Sequence, residues 1–238
     1  MLPFAAMRSA YEVRFVGPPG WRRLPPVTRA TLVLAAAGYV ATLVPAFPAG
    51  LLAAVPERVW PRLELWRLVT YPFVNVGIVS ILFGLLLLWS FGSELEPEWG
   101  SRGYALFLFL ATLSGGVLGV GAALLLGGTF GTGIGLAGPV TAVIAAWTFE
   151  GPSRPTNFFG VLPMTRLVFG AIAVLVVAFG ELEQTHSLAR LVFVLGGLPV
   201  AWVWSRRRRT GGPPLIRTPR FFRRRRFRVV GGDDDRIH

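Results

Sequence analysis

Long stretches of this chain carry no charge, and short polar segments separate them. No charge occurs from Ala30 to Pro56, and Pro45 and Pro48 fall near its end, so one apolar helix is expected at about 30–50. Residues 51–75 alternate differently: Glu57, Arg58, Arg62, Glu64 and Arg67 are mixed with Trp60, Trp66 and Tyr71. Aromatic and charged residues in such a mixture suit the boundary between water and lipid, which predicts an amphipathic interfacial loop after helix one. A second charge-free run, 68–93, holds a helix at about 76–94, and Gly92-Ser93-Glu94-Leu95-Glu96-Pro97-Glu98-Trp99-Gly100-Ser101-Arg102 reads as a compact acidic turn. The run 103–149 is 47 residues long. That is too long for one crossing at about 1.5 Å per residue. Its glycine-dense piece 127–138 divides it into helices at 103–126 and 136–149. Fifth and sixth helices fit 162–180 and 187–205, with Arg166 and Arg190 near their ends, where arginine can snorkel.

Composition agrees with that pattern. The chain has 238 residues, 53% hydrophobic and only 15% charged, where a soluble domain has about a quarter charged. The mean hydropathy is +0.58. An all-α, multi-pass membrane protein is expected: a cytoplasmic segment at 1–29, a membrane domain at 30–205 and an arginine-rich tail at 206–238. The N-terminal MLPFAAMRSAYEVRF makes a poor signal peptide, so the first apolar segment is expected to act as an uncleaved signal-anchor. The absence of cysteine excludes thiol chemistry.

Six crossings put both termini on one side, and the arginines select it. The N-terminal segment, the turn after helix two, the loop after helix four and the tail hold 20 arginines, against four on the other side: Arg58, Arg62, Arg67 and Arg190. The richer side is expected to be cytoplasmic, and the membrane to be the inner membrane of a bacterium. The tail carries twelve arginines against three aspartates. It reads as an orientation signal with a disordered tail, or as a segment drawn to anionic lipid, with Phe221, Phe222 and Phe227 assisting. Nucleic acid is the least favoured partner.

Three pieces together resemble the rhomboid family of intramembrane proteases and its inactive relatives. Leu65-Trp66-Arg67-Leu68-Val69-Thr70-Tyr71-Pro72-Phe73-Val74-Asn75 is similar to the WRLVTYxFxH stretch before the family's second helix. The acidic turn around Glu96 and Gly100 looks like its GxxLExxxG, and Gly196-Gly197 stands where rhomboids carry HxGG. Phe159-Gly160-Val161-Leu162-Pro163-Met164 also resembles their entry to helix five. The resemblance implies a six-helix bundle. In it Arg67 either binds carbonyls of the folded loop or anchors it at the interface, and Glu96 caps a helix or pairs with Arg102.

The resemblance also locates a missing chemistry. A serine protease needs a hydroxyl nucleophile, a base within hydrogen-bond reach and donors for the oxyanion. The family's GxSG reads Gly135-Leu136-Ala137-Gly138 here, which leaves a methyl group at the nucleophile position. The HxGG reads Val194-Leu195-Gly196-Gly197, and the oxyanion-site histidine and asparagine of helix two fall on Ser80 and Gly84. The mapping requires Ala137 and Val194 to lie within van der Waals distance of one another across the fourth and sixth helices. His186 and His238 lie away from these positions. Ser80, Ser90, Ser114 and Thr141 read as hydroxyls bonded to backbone or neighbouring helices. No metal, cofactor or nucleotide motif is present. The expectation is a protein without the dyad that binds transmembrane helices of client proteins, or lipids, without cleavage. The alternatives are an endopeptidase with a displaced dyad, and a transporter or channel. The second needs charged residues along a midplane path.

Overall fold

The computed structural model describes residues 20–126, 132–153, 155–158, 162–185 and 187–211. His186, His238, Phe159-Gly160-Val161, most of the arginine-rich tail and most of the N-terminal segment lie outside them. The elements in order are α1 (Pro26–Thr42), α2 (Pro56–Val59), α3 (Arg67–Thr70), α4 (Ile78–Trp99), α5 (Ser101–Leu125), α6 (Ala137–Glu150), β1 (Pro155–Phe158), β2 (Leu162–Thr165), α7 (Arg166–Thr185), α8 (Leu188–Leu195) and α9 (Leu198–Arg209). Among the described residues, three helices are long and apolar enough to cross a membrane: Ile78–Trp99, Ser101–Leu125 and Leu188–Arg209, the last taken as one rod.

Each expected helix has a counterpart, with shifted bounds. The first begins at Pro26, not 30, because Pro26 at the first helical position lacks only an N–H that would be unpaired anyway. It ends at Thr42, well ahead of Pro45. The acidic turn is mostly helix: α4 runs to Trp99, with Pro97 in its last turn, and only Gly100 (φ +76°) reverses the chain. Residues 162–165, expected to begin the fifth helix, are the second strand of an antiparallel hairpin pairing Pro155–Phe158 with Leu162–Thr165, a small exception to the all-α expectation. The sixth helix is broken at Gly196-Gly197 and continues to Arg209.

α6 is the hub. Every residue from Gly138 to Thr148 is buried, so the helix is enclosed on all faces, as its charge-free and mostly small side chains there permit. It packs on α4, α5, α7, α8 and α9. Around one end lies an aromatic cluster in which Trp99, Phe107 and Trp204 pack ring on ring, and Phe91 lies edge-on to Trp147. Around the other lies a smaller cluster of Ala54, Val59, Leu68, Tyr71, Val120 and Phe193.

The last turn of α4 fastens the first end. Acids at every second position of a helix fall on opposite sides. Glu94 therefore faces α6 and α7, accepting from Trp147 Nε1 at 2.6 Å and Arg166 Nη2 at 3.3 Å. Glu96 faces α1, accepting from the amides of Val27 (2.9 Å) and Thr28 (2.6 Å), the Thr28 hydroxyl (2.8 Å) and the Ser101 hydroxyl (2.7 Å). A carboxylate at the α1 N-terminus satisfies donors that no helical carbonyl can reach. Arg102 is not its partner among these contacts.

Candidate functional site

The positions of interest converge where α6 begins. The chain enters from a loop in which Gly133 and Ala54 exchange backbone hydrogen bonds of 2.8 and 2.9 Å, joining it to the interfacial segment. Gly135 then takes φ +96°, a conformation that side-chain-bearing residues rarely adopt, and donates its N–H to Tyr71 O at 3.2 Å. The next amide, Leu136 N, donates to Asn75 Oδ1 at 3.0 Å, while Asn75 Nδ2 donates to Pro72 O at 2.9 Å. Asn75 is 3% exposed, so its amide group fixes the approach to α6.

Ala137 is the first residue of α6 and partly exposed. Across from it, α4 presents Gly84, and a Cβ added there would lie 3.3 Å from Leu136 Cδ2 and 3.5 Å from Leu136 Cβ. The Leu136 side chain thus occupies the space in front of the position mapped to the oxyanion-site asparagine. Ser80, one turn earlier on α4, is exposed.

The helix carrying Ala137 and the one carrying Val194 meet through Gly138 and Thr141. A Cβ at Gly138 would come within 2.9 Å of Phe193 O and 3.0 Å of the Tyr71 hydroxyl, so only glycine permits this approach. The Thr141 hydroxyl lies within hydrogen-bond distance of both Gly138 O and Val194 O, and its single proton serves one at a time. Val194 itself is buried and apolar. Below it, Ser114 donates to Gly196 O at 2.7 Å. The break at Gly196-Gly197 frees carbonyls of the sixth helix, and hydroxyls from α5 and α6 take them up. Gly196 and Gly115 approach closely: a Cβ on Gly196 would sit 2.8 Å from Gly115 Cα.

Among the described acids, Glu181 is paired with Arg190, one turn before Val194 on α8. Glu94 lies ten residues beyond Gly84 on α4, roughly 15 Å along the axis. Tyr71 donates to Thr112 O at 3.3 Å, and burial raises its hydroxyl above the ordinary range. It is therefore a neutral donor and not a base. Ser90 is bonded back to Leu86 O at 2.9 Å. No group of three or more His, Asp or Glu that could hold a metal occurs among the described residues.

The interfacial segment is tied down from beneath. Arg67 is fully buried and bonds Gly50 O, Ala53 O at 2.8 Å and Glu64 Oε2. Of the two roles open to Arg67, this is the binding of loop carbonyls. Trp66 beside it is 53% exposed, with Nε1 donating to Leu51 O at 3.2 Å. Trp60, Leu63 and Leu65 are also exposed, giving the segment an apolar outer face. From sequence, Asn75 has no assigned role and Phe193 does not stand out. An amide that closes an interfacial segment and an aromatic one residue before Val194 are both commonplace in membrane helices and their loops, so neither marks a site until the fold brings it to α6.

A family model described as Rhomboid domain matches residues 62–207, more than half of the chain. Among curated proteins, the chain is 27% identical over 184 residues to the rhomboid protease GlpG of Yersinia pseudotuberculosis, covering 74% of this chain and 62% of that protein. It is 32% identical over 150 residues to the rhomboid protease GlpG of Serratia proteamaculans, covering 60% of this chain and 51% of that protein. The chain thus spans about six tenths of the length of the first of these relatives.

Proposed function

This chain belongs to the rhomboid family, and on that premise we propose that it is a catalytically inactive member that binds transmembrane helices of client proteins without cleaving them. The observation that carries the reading is the first turn of α6. A methyl group stands at the nucleophile position Ala137, and the neighbouring hydroxyl of Thr141 is engaged by Gly138 O and Val194 O. At the mapped base position stands a buried valine. Four of the family's catalytic positions, Ala137, Val194, Ser80 and Gly84, thus lack the group that each step of acyl transfer needs.

Binding has a place to occur. α4 and α7 meet at one end, where Phe91 and Phe169 have ring centroids 5.9 Å apart and Glu94 holds Arg166. Beyond that point α4 packs on α1, α5 and α6, and α7 on α6, α8 and the hairpin. Val79, Leu82 and Leu86 on α4 and Ile172, Leu175 and Val176 on α7 are exposed. An apolar client helix seated between them meets matching surface without displacing a polar group.

In this reading α1, α4, α5, α6, α7 and the α8–α9 rod each cross the membrane once, with both termini cytoplasmic in a bacterial inner membrane. α6, at 14 residues, spans about 21 Å, less than the roughly 30 Å of hydrocarbon. Its burial removes the need to match that thickness. The competing reading, cleavage by a displaced dyad, draws support from the names of the relatives. One experiment separates the two: the purified protein in lipid vesicles is given a photo-crosslinkable transmembrane peptide and a serine-reactive fluorophosphonate. Crosslinking without cleavage or labelling supports the proposal. Labelling lost in a single Ser→Ala variant overturns it.

A further inference from the structure

The four arginines that end α9 divide between two faces of the helix. Arg208, though 37% exposed, reaches toward α4 and α6. Its Nε lies 3.5 Å from Glu150 Oε1, its Nη2 donates to Glu98 O at 3.3 Å, and its guanidinium lies 5.4 Å from the centre of the Trp99 ring. It shares this side with the buried Ala201 and Trp204. Trp202, Arg206 and Arg209 follow the i, i+4, i+7 spacing of one stripe, which lies about 120° around the helix from that side. Trp202 is 47% exposed, and the Arg206 guanidinium lies 5.0 Å above its ring. Arg207 and Arg209 are exposed, as is Val203 next to Trp202.

The geometry points to a headgroup site for anionic phospholipid on this outer stripe, built into the folded helix end and separate from the tail beyond residue 211. Between Arg190 and Arg206 the rod carries no charge for about 24 Å. That is shorter than the roughly 30 Å of hydrocarbon, so Arg206 must reach outward to leave the apolar layer, and a lipid phosphate lies along that path. Trp202 holds the guanidinium by its ring face, directing the remaining N–H groups outward. Arg23 and Arg29 are exposed at the same end, because Glu96 of α4 caps the first turn of α1 there. The rim therefore offers several cations to one leaflet beside fewer acids: Glu150 pairs with Arg208, Glu94 is exposed but bonded to Trp147 and Arg166, and Glu98 is exposed.

The test uses the full chain in vesicles of equal parts phosphatidylglycerol and phosphatidylcholine, with the lipids it retains counted by native mass spectrometry. The unaltered protein is expected to retain phosphatidylglycerol preferentially. In the double variant Arg206→Gln, Arg209→Gln that preference should fall at least about fivefold, with the unfolding temperature unchanged. Arg208→Gln should do the reverse, lowering the unfolding temperature and keeping the preference. The proposal is overturned if the unaltered protein shows no preference or if the double variant keeps it. It is equally overturned if the preference is lost only on changing Arg223, Arg224, Arg225 and Arg226 to Gln, which would assign it to the tail.

Discussion

The hydroxyl of Thr141 and the carbonyl of Val194 are hydrogen-bonded across α6 and α8, one turn from Ala137. This bond engages a hydroxyl close to the position where a nucleophile would stand, and the mapped base position is a buried valine. Restoring one oxygen does not restore a reaction. Ala137→Ser is expected to show no cleavage of transmembrane substrates and no fluorophosphonate labelling above background. Its serine has Gly138 and Thr141 beside it, and a buried valine, Val194, stands at the mapped base position. Measurable cleavage by this single variant would reveal a base elsewhere in the chain and end the inactive reading.

Glu96 is 1% exposed and accepts four hydrogen bonds, from Val27 N, Thr28 N, Thr28 Oγ1 and Ser101 Oγ. Glu96→Ala should destabilise the protein by about 3 kcal/mol, since bonds to a charged acceptor are worth about 1.5–3 kcal/mol and the orphaned donors are buried. Glu96→Gln should fall between, because an amide keeps one acceptor oxygen but turns an NH2 toward donors. Unfolding by denaturant in detergent micelles measures both. A loss below about 1 kcal/mol for Glu96→Ala, the net worth of a single ordinary hydrogen bond, would show that α1 is held without this cap.

These two sites show what the sequence discloses and where it stops. The helices at 103–126 and 136–149 were legible because charge-free runs and a glycine-dense break leave few other solutions. That α6 is the enclosed hub was not, since a helix apolar on all faces is equally suited to lipid or to protein. The acidic stretch looked like a turn because Gly92 and Gly100 bracket it and Pro97 interrupts it. It is helical because Glu94 and Glu96 find donors on α6, α7 and α1, contacts far apart in sequence. The paired strands Pro155–Phe158 and Leu162–Thr165 lack alternating polarity, so nothing local marked them. The meeting of Gly138 with Phe193 O depends on a helix crossing that no single segment encodes.

Arg67 gives a prediction with a local readout. Its guanidinium bonds Gly50 O, Ala53 O and Glu64, which fastens residues 50–64 to α3. Lysine offers a point charge in place of a planar fork, so Arg67→Lys cannot hold all three partners. Both Arg67→Lys and Arg67→Ala should speed amide hydrogen exchange in residues 50–66 by at least tenfold, while α5 and α6 stay protected. Uniform loss of protection would mean that Arg67 supports the whole bundle; no change would mean that the loop is held by its apolar contacts alone.

The ring of Phe193 fills a slot whose walls are glycines. A Cβ at Gly119 would lie 2.3 Å from Phe193 Cγ, and one at Gly133 would lie 2.4 Å from Phe193 Cε1, while Tyr71 meets the ring edge-on at 5.7 Å. Gly119→Ala should therefore destabilise by about 1–3 kcal/mol, the usual cost of overpacking. The clash is with a ring anchored on three sides, so the ring cannot simply swing away. Phe193→Leu alone should also destabilise, by loss of packing. Combined, the two changes partly compensate, because the smaller side chain vacates the space the methyl enters. The double variant should thus be more stable than the sum of the single losses by at least about 1 kcal/mol, a coupling of the size expected for residues in contact. Four unfolding curves, for the unaltered protein, each single variant and the pair, decide it. Strict additivity would mean that α5 shifts to admit the methyl, and that the slot at Phe193 is not what sets the distance between α5 and α8.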